Sequence, residues 1–476
     1  MKILFAGSEA LPFASTGGLG DVLGSLPSAI AHAFPHTDVR VVLPLYSSIS
    51  HEYRSEMTLI TETQVRLSWR VQYCGIYSLL RDGVTYYFID NEYYFRRSAL
   101  YGSYDDGERF AFFSRAVLEL MDRTGFFPDI LHANDWQCAT SVICLKSIYS
   151  TDARYRSVRA VYTIHNIEYQ GIYGMEILGD VFGLGPNMRG VIEYDGNINL
   201  TKGAIVCADA VTTVSPQYAR ELQTEYYSHG LYHILRLYRK KLFGIINGID
   251  TNYYNPETDS ALPKNYSAND LSGKAVCKEH IQRLTGLTIS PNTPLVAMIS
   301  RLAEHKGFDL VTCVIEEFLK DDVQFILLGT GDKALEDFFT SLASRYPGKV
   351  SALLQFNKEL SKQIYAGADI FLMPSKSEPC GLSQMIASRY GAVPVVRETG
   401  GLYDTIKPYD PENESGNGFT FTNYNAHDML NTLRAATALY RDKDRFTKLV
   451  LRAMKCDFSW DSSAKKYMEL YKNLPQ

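Results

Sequence analysis

Short apolar segments alternate with amphipathic stretches along the rear part of this 476-residue sequence, and this alternation restricts the possible folds more than any other feature. The apolar segments lie near residues 295–300, 323–328, 350–354, 370–373, 393–396 and 418–421, with helical periodicity between them. Strands that alternate with helices form a parallel sheet with helices on both faces. The sequence therefore predicts a doubly wound α/β domain in this region.

The front half repeats the alternation with one interruption. Strands are predicted at residues 2–7 and 39–43, and others begin near residues 130, 161 and 210. Residues 52–90 instead alternate apolar and polar side chains, which indicates an antiparallel insertion. A chain of 476 residues is too long for a single core, so we predict a second large α/β domain here.

We place the domain boundary near the middle of the chain. Residues 243–250 predict a strand and a tight turn, because Asn247-Gly248 is a strong turn signal. A polar stretch follows at residues 255–269 and is expected to be exposed to proteolysis. The predicted domains are therefore residues 1–246 and 247–457, with a last helix within 458–476 that packs back onto the first domain.

Composition excludes several functional classes. The net charge is −5, with 46% hydrophobic and 21% charged residues, so neither a nucleic-acid interface nor a basic membrane surface is indicated. The first residues do not form a secretory signal, and no apolar run approaches the roughly 20 residues of a membrane span. The eight cysteines show no zinc spacing and are predicted to be reduced thiols in a cytoplasmic protein.

The segment from Ser375 to Gln384 joins an apolar strand to a helix at the sheet edge where open α/β sheets bind ligands. Glu378 stands in this turn, and the amides of Gly381 and Leu382 precede the helix, so a carboxylate and a partial positive charge face one small volume. This pattern suits the cleavage of a sugar from a phosphate. A single such turn is also typical of an ordinary strand-to-helix connection.

A second turn of the same kind follows the next apolar strand. Thr399, Gly400 and Gly401 offer bare amides to an anion there, and a pair of successive turns favours a phosphate site. Arg301 and Lys306 bracket another loop at the same predicted edge, where they are able to clamp a diphosphate. A solvated basic pair is the alternative interpretation.

Polar residues also follow strands in the front domain. A glycine-rich loop runs from Ser15 to Val22, but its spacing is not that of a dinucleotide fingerprint. Asp135 lies in a polar cluster after one strand, and His165 follows the next. His165 fits either a hydrogen-bonded core histidine or a contact to sugar hydroxyls.

Taken in order, these motifs resemble the bacterial and plastid-type glycogen (starch) synthases over the whole chain. The similar segments are residues 16–22, 132–136, 163–170, 244–250, 300–310, 375–391 and 399–405. The resemblance implies two Rossmann-like domains of the GT-B type facing each other across a cleft. It also implies a retaining transfer of glucose from ADP-glucose to the non-reducing end of an α-1,4-glucan, without cofactor or metal.

The resemblance assigns a role to individual residues. Glu378 corresponds to the acid near the glucosyl unit, Arg301 and Lys306 to the cations on the leaving diphosphate, His165 to a sugar contact, and Asp135 to an acid beside the transferred glucose. The nucleotide-sugar site is expected to include Ser15, Gly17, Gly18, Asn247, Phe356, Cys380, Gly381, Leu382, Thr399, Gly400 and Gly401. The Asp-x-Asp pair at residues 442–444 follows a predicted helix and is interpreted as surface charge, not as a metal site.

One departure from the family pattern bears on function. The first motif of the family usually begins with lysine, and Ser15 stands at that position, which removes a positive charge from the expected donor site. Three alternatives therefore stay open beside the main hypothesis: a UDP-glucose donor, a small acceptor, or a weakly active paralogue that binds glucan as a scaffold. A phosphorylase is disfavoured because no pyridoxal-phosphate site is indicated.

Overall fold

Two large sheets organise the residues that the computed structural model describes, 1–475. The first belongs to a unit formed by Met1–Gly248 and the chain from Trp460 onward, and the second to a unit formed by Ile249–Ser459. Each unit has its own core of apolar strands covered by helices. The chain thus contains two Rossmann-like α/β domains.

The strands of the first unit follow the predicted positions closely. They are β1 (Lys2–Ala6), β2 (Asp38–Pro44), β3 (Thr58–Leu67), β4 (Arg70–Arg81), β5 (Val84–Asp90), β6 (Ile130–Asn134), β7 (Arg159–Ile164), β8 (Ile172–Tyr173), β9 (Glu193–Tyr194), β10 (Asn197–Asn199), β11 (Ala210–Thr213) and β12 (Leu242–Gly244). In the described chain, nine of them form one sheet in the order β12-β11-β7-β6-β1-β2-β5-β4-β3, and β8, β10 and β9 form a small separate sheet.

The helices of the first unit lie between these strands. They are α1 (Gly18–Ala33), α2 (His51–Glu56), α3 (Glu92–Phe95), α4 (Asp106–Thr124), α5 (Trp136–Lys146), α6 (Ala153–Arg156), α7 (Ile177–Asp180), α8 (Arg189–Ile192), α9 (Leu200–Cys207), α10 (Pro216–Glu221) and α11 (Tyr232–Leu237). The longest of them, α4, ends where Gly125 adopts a left-handed conformation with φ of 65°. Glycine favours that conformation because it has no Cβ.

The antiparallel insertion predicted at residues 52–90 is present, and it extends the main sheet. β5 pairs in parallel with β2, and β4 and β3 then extend the sheet in antiparallel fashion. The alternation of apolar and polar residues correctly indicated strands with one exposed face. It does not specify the pairing partner, because a half-exposed strand has the same pattern at a sheet edge and in an isolated hairpin.

The second unit has a sheet in which all of the pairings are parallel. Its strands are β13 (Leu295–Ile299), β14 (Gln324–Leu328), β15 (Val350–Leu353), β16 (Ile370–Met373), β17 (Val393–Arg397) and β18 (Phe419–Phe421), in the order β15-β14-β13-β16-β17-β18. Its helices are α12 (Ser272–Leu284), α13 (Phe308–Phe318), α14 (Lys333–Arg345), α15 (Lys358–Gly367), α16 (Ser383–Arg389), α17 (Gly400–Thr405), α18 (Ala426–Arg441) and α19 (Lys443–Met454). The doubly wound domain predicted here is therefore confirmed.

The last helix, α20 (Trp460–Lys472), belongs to the first unit. It packs against α1 and buries Trp460, Tyr467 and Tyr471. The hydroxyl group of Tyr471 lies 2.6 Å from Nδ1 of His132 in the centre of the first sheet. His132 is thus a buried structural residue, and burial lowers its pKa to about 3.

The region of the predicted boundary differs from expectation in two respects. Asn247 and Gly248 form no tight turn, and neither has a positive φ, because the parallel strand β12 is not followed by a hairpin partner. The polar stretch at residues 255–269 is also not a free linker. It is anchored to the second unit by Tyr266, whose hydroxyl donates to the carbonyl of Tyr390 over 2.7 Å, and by the buried Asp259.

Candidate active site

Glu378 and Lys306 form a partly buried ion pair at the carboxyl edge of the second sheet. Oε2 of Glu378 lies 2.7 Å from Nζ of Lys306 and 3.1 Å from the hydroxyl of Ser375. Glu378 follows β16, Lys306 follows β13, and these strands are neighbours in the sheet. Glu378 is only 7% exposed, so this charged pair is held in a fixed position. The sequence prediction that these two residues share one edge of the sheet agrees with this geometry.

The loops that carry this pair are fastened to each other. The amide of Lys376 donates to the carbonyl of His305 over 2.9 Å. Gly307 adopts a φ of 79°, and a Cβ at this position would lie 2.1 Å from the carbonyl oxygen of Pro374. Only glycine permits this close approach in this conformation, so the two loops form one rigid edge.

Arg301 begins the loop after β13 and is exposed. Its guanidinium group makes no ion pair and no side-chain hydrogen bond with any residue in the range 1–475. Arg301 therefore differs from Lys306, whose charge is already paired with Glu378. A free guanidinium at a ligand-binding edge is available to bind an anion in bidentate fashion.

The amides predicted to bind phosphate divide into two groups. Those of Gly381 and Leu382 donate to no acceptor among the described residues, and Gly381 has a φ of 71°. The amides of Thr399 and Gly401 are not bare: they donate to the carbonyls of Arg397, over 2.9 Å, and Glu378, over 3.1 Å. The prediction that these two amides are bare is wrong in this structure.

The glycine pair after β17 has a packing role instead. A Cβ at Gly400 would lie 2.0 Å from the carbonyl oxygen of Glu378, and one at Gly401 would lie 1.9 Å from that of Cys380. The backbone of this loop therefore rests directly on the turn that carries Glu378. Cys380 is buried in the same turn, and its carbonyl accepts a hydrogen bond from the Gln384 side chain over 3.1 Å.

Phe356 lies in the loop between β15 and α15, at the far side of the same sheet. The residue is 84% exposed, which is unusual for a large apolar residue in the described chain. The ring is therefore open to stacking by a planar ligand group.

In the first unit, Glu9 organises the glycine-rich loop. This buried carboxylate accepts hydrogen bonds from the Thr16 amide (2.6 Å), the Thr16 hydroxyl (2.7 Å), the Gly17 amide (3.2 Å) and the Tyr101 hydroxyl (2.7 Å). The sequence analysis missed Glu9. The signal was an acidic residue just after the first strand, in a position where an unpaired charge is costly to bury.

The predicted residues of this loop lie at the surface. Ser15, Gly17 and Gly18 are exposed, and the Ser15 hydroxyl donates to the carbonyl of Gly17 over 3.2 Å. Asn247, predicted for the same site, is buried after β12, and its Oδ1 has no hydrogen-bond partner in residues 1–475.

Asp135 and His165 are brought together at the carboxyl ends of β6 and β7. Oδ1 of Asp135 accepts the backbone amide of His165 over 2.8 Å, and Asp135 has a φ of 57°, which is strained for a residue with a side chain. Burial raises the pKa of Asp135 to about 7, against the hydrogen bonds from the amides of His165 and Asn166, and the charge of Glu9 adds to the rise. Glu9 and Asp135 are therefore electrostatic neighbours.

The His165 ring combines features of both earlier interpretations. Its Nε2 lies 2.9 Å from Oδ1 of Asn134, so one ring nitrogen already has a partner. Burial lowers the pKa of His165 to about 3, so the imidazole is neutral at physiological pH. The ring stands at the sheet edge and is only partly buried, which keeps a neutral contact to a ligand possible.

The comparisons with known proteins identify the family. The starch synthase catalytic domain family matches residues 2–237, and the group 1 glycosyl transferases match residues 285–448. The chain is 49% identical to a glycogen synthase of Clostridium novyi over 477 residues, which cover 100% of this chain and 99% of the relative. The chain belongs to the glycogen (starch) synthase family. A glycogen synthase of Bacillus cereus is 48% identical, with full coverage of both chains.

Solved structures agree with the family assignment. The catalytic domain of starch synthase IV from Arabidopsis thaliana, bound to ADP and acarbose, has a TM-score of 0.89 and 35% identity, over 99% of this chain and 98% of that one. A sucrose-phosphate synthase from Thermosynechococcus elongatus has a TM-score of 0.60 at 17% identity, which shows the fold alone. The fold is that of the GT-B glycosyltransferases, and the activity of the family is glucosyl transfer in glycogen synthesis.

Two further findings concern the described residues. Within 1–475, no helix has the length and apolar character that are needed to span a bilayer. Asp442 caps α19 by accepting the amide of Arg445, so the Asp-x-Asp pair lies at a helix start and not at a sheet edge. The interpretation of this pair as surface charge agrees with that position.

Proposed function

We propose that this glycogen synthase family member transfers glucose, with retention, from ADP-glucose to the non-reducing end of an α-1,4-glucan. Relatives that are 48–49% identical over the whole chain are glycogen synthases, and the starch synthase with a TM-score of 0.89 was solved with ADP and acarbose. The Lys306–Glu378 ion pair supports the proposal, because it brings a carboxylate and a cation together at the sheet edge where open α/β sheets bind ligands.

The donor side of the reaction requires stabilisation of negative charge. Departure of a nucleoside diphosphate builds charge on its phosphate oxygens, and fixed cations stabilise this charge more in the transition state than in the ground state. Arg301 is free to bind the diphosphate, and the open amides of Gly381 and Leu382 add neutral donors. Lys306 would exchange part of its contact with Glu378 for the leaving phosphate.

Glu378 has the complementary role on the sugar. A carboxylate that is fixed by Lys306 and Ser375 keeps its second oxygen for hydroxyl groups of the transferred glucose. We propose that it also faces the anomeric carbon, where positive charge develops as the bond to the phosphate oxygen breaks. Its negative charge therefore lowers the energy of an oxocarbenium-like state.

Asp135 and His165 are proposed to contact the transferred sugar. A neutral His165 can hydrogen-bond a sugar hydroxyl without repelling the positive charge that develops at the anomeric carbon. Asp135 would supply a carboxylate beside the glucose when it is ionised above about pH 7. Glu9 is proposed to position the loop at residues 15–18 and not to touch the sugar.

We further propose that no metal and no organic cofactor take part, because Arg301 and Lys306 can supply the charge that a divalent cation supplies in other transferases. Phe356, with its exposed ring, is proposed to stack on the adenine of the donor. A nucleotide-sugar substrate also favours a cytoplasmic location for the activity.

One observation favours an alternative donor. Ser15 replaces the lysine that is usual in the first family motif, and its exposed hydroxyl bonds only to the Gly17 carbonyl among the described residues. Without this charge the donor site has one cation fewer for ADP-glucose, so UDP-glucose is the second candidate donor. A glucan-binding scaffold with little activity is the third.

Nucleotide release separates these possibilities. The purified protein is given ADP-glucose or UDP-glucose with glycogen as primer, and released ADP or UDP is measured over time. We expect a kcat/KM for ADP-glucose at least ten times that for UDP-glucose. Faster release from UDP-glucose would reassign the donor, and glucan binding without release from either donor would indicate the scaffold.

A further inference from the structure

Gln384, near the start of α16, is a fully buried glutamine next to the turn that carries Glu378. Its Nε2 donates to the carbonyl of Cys380 over 3.1 Å and to that of Gly381 over 2.9 Å. The same nitrogen lies 3.2 Å from the hydroxyl oxygen of Thr405. One side-chain amide group therefore holds two successive backbone carbonyls of the turn.

The two carbonyls belong to the peptide groups whose amides are open. The carbonyl of Cys380 and the amide of Gly381 form one trans peptide group, and the carbonyl of Gly381 and the amide of Leu382 form the next. Because a trans peptide is planar, its N–H points away from its C=O. Gln384 holds both carbonyls on its own side, so both N–H groups are directed to the opposite side, where they donate to no acceptor in residues 1–475.

Other carbonyls of the turn are also bound by groups of the protein. Nε of Arg397 donates to the carbonyl of Ser375 over 3.0 Å, and its Nη2 donates to that of Lys376 over 2.8 Å. The Gly401 amide donates to the carbonyl of Glu378 over 3.1 Å. These donors fix the first part of the turn, and the Gln384 side chain fixes the part from which the open amides project.

The Thr405 hydroxyl determines which end of the Gln384 amide faces the turn. This hydroxyl donates to the carbonyl of Gly401 over 2.6 Å, so it accepts from Gln384. The backbone carbonyls of the turn are acceptors as well. All three partners of Gln384 therefore require the NH2 group of its side chain, and the side chain has one orientation.

Stability alone does not account for a glutamine at this position. Its Oε1 is buried and has no hydrogen-bond partner within the described chain. That oxygen lies against Gly381, where a Cβ would approach it to 2.5 Å. A buried polar atom without a partner costs free energy, and an apolar side chain of the same length would avoid this cost. What the glutamine contributes is its NH2 donor.

We infer that Gln384 is a positioning residue for glucosyl transfer, an inference that rests on the proposed function. It directs the amides of Gly381 and Leu382 towards the diphosphate that leaves. Gln384 is 0% exposed and does not touch the substrate itself. Amides that are already oriented stabilise developing charge without having to reorganise during the reaction.

The role predicts a difference between kcat and KM. Negative charge on the diphosphate grows as its bond to the sugar breaks, and free ADP carries the full charge of the leaving group. Misdirected amides should therefore lower kcat and the affinity for ADP more than they raise the KM for ADP-glucose. AMP lacks the second phosphate, so its affinity should not depend on these amides.

Gln384→Met removes the donor and keeps the approximate length of the side chain. We expect kcat with ADP-glucose and glycogen to fall about 10- to 50-fold, which is less than for deletion of a donor because both amides remain. The KM for ADP-glucose should change less than about threefold. Titration calorimetry should show about a tenfold rise in the Kd for ADP and an unchanged Kd for AMP.

Two further variants make the comparison specific. Gln363→Met is the matched control, because the Gln363 side chain donates to the carbonyl of Ala261 over 2.9 Å elsewhere in the second unit. It should keep wild-type kcat and ADP affinity. Thr405→Val removes one partner of Gln384 and retains the volume of the side chain, so we expect a loss of ADP affinity of about two- to fivefold. Thermal denaturation establishes that each variant is folded, and Thr405→Val provides the test if Gln384→Met is not.

The outcomes are distinguishable. Wild-type ADP affinity in Gln384→Met and Thr405→Val would overturn the inference and leave the proposed function intact. An equal loss of ADP and AMP affinity would show a general disturbance of the second unit and would also overturn the inference. A wild-type protein that binds ADP but releases none from ADP-glucose would overturn the proposed function, while the two Kd values would still decide whether Gln384 orients the amides. A wild type that binds no ADP would overturn both.

Discussion

Lys306 donates from Nζ to Oε2 of Glu378 over 2.7 Å and so joins the loops that follow two neighbouring strands, β13 and β16. The Gly401 amide bonds to the carbonyl of the same glutamate from a third neighbouring strand, β17. Glu378 is therefore fixed through both its side chain and its backbone. Such preorganisation is what a group needs if it is to stabilise a transition state without moving.

Glu378→Gln is expected to lower kcat by at least about 100-fold, because the amide retains the shape of the side chain and loses its charge. Steady-state assays of nucleotide release measure the effect, and circular dichroism checks the fold. Glu359→Gln, at an exposed carboxylate of α15, is the matched control and should keep wild-type activity. A Glu378 variant with near wild-type turnover would remove this residue from the mechanism.

Arg301→Ala is expected to lower kcat/KM for the nucleotide sugar by about 100- to 1000-fold and to leave the melting temperature unchanged. Stability is preserved because the exposed guanidinium makes no ion pair in the described chain. Arg301→Lys should recover only part of the loss, since lysine provides a point charge without the bidentate fork. A clear fall in the melting temperature of Arg301→Ala would indicate that Arg301 has a structural role instead.

Glu9→Gln tests the organisation of the glycine-rich loop. The side-chain amide cannot accept from the Thr16 amide, the Gly17 amide and Tyr101 together, so we expect about a tenfold loss of kcat/KM and about 1–3 kcal/mol of stability. Tyr101→Phe removes one of these hydrogen bonds and should have a smaller effect on both. Unchanged kinetics in Glu9→Gln would show that the loop conformation does not depend on this carboxylate.

The raised pKa of Asp135 leads us to expect a specific pH dependence of kcat/KM. Burial raises its pKa to about 7, so the ionised form increases as the pH rises through 7, and kcat/KM should rise with it if the carboxylate is required. Titration of His165 should not change kcat/KM between pH 5 and 8, because its pKa is about 3. Asp135→Asn should abolish the rise in kcat/KM around pH 7 and lower activity at pH 8. If the rise in kcat/KM around pH 7 persists in Asp135→Asn, another group is responsible for it.

The raised pKa of Asp135 also predicts that the free energy of unfolding falls as the pH rises, whereas activity increases. The folded state binds the Asp135 proton more tightly than the unfolded chain, so this group stabilises the fold at low pH, and its contribution is lost as the pH rises from about 4 through about 7. Asp135→Asn should therefore melt at a higher temperature than the wild type at pH 8, with a smaller difference at pH 4. An equal difference at both values would contradict the raised pKa.

The regular elements were predictable because their determinants are local. The strands of the second sheet were predicted within one or two residues, since an apolar run followed by helical periodicity reports burial directly. The shared edge of Glu378 and Lys306 followed from the same logic, because parallel strands end at one edge.

Other features depend on tertiary contacts that local sequence patterns do not reveal. The Gly401 amide points to a carbonyl and not to an empty site, because the loop after β17 packs on the turn of Glu378. Glu9 lies seven residues from Thr16 and 92 from Tyr101, so its role became visible only in the folded chain. The Asn247-Gly248 pair failed as a turn signal because no hairpin partner follows β12.

Ser15→Lys tests the donor question. The added charge in an exposed loop of the expected donor site should lower the KM for ADP-glucose about three- to tenfold, and Ser15→Met controls for side-chain length without charge. The KM values for ADP-glucose and UDP-glucose are compared in both variants. A rise in the KM for ADP-glucose in Ser15→Lys would show that the serine is suited to the present donor.

Incorporation of labelled glucose tests the central claim most directly. The protein is incubated with glycogen and ADP-glucose that is radiolabelled in the glucose, and the labelled polymer is then digested with an exo-acting enzyme that removes maltose only from non-reducing α-1,4-linked ends. We predict that label enters the polymer in step with ADP release and is recovered as maltose. Label that fails to enter the polymer, or that resists the digestion, would contradict retaining transfer to the non-reducing end.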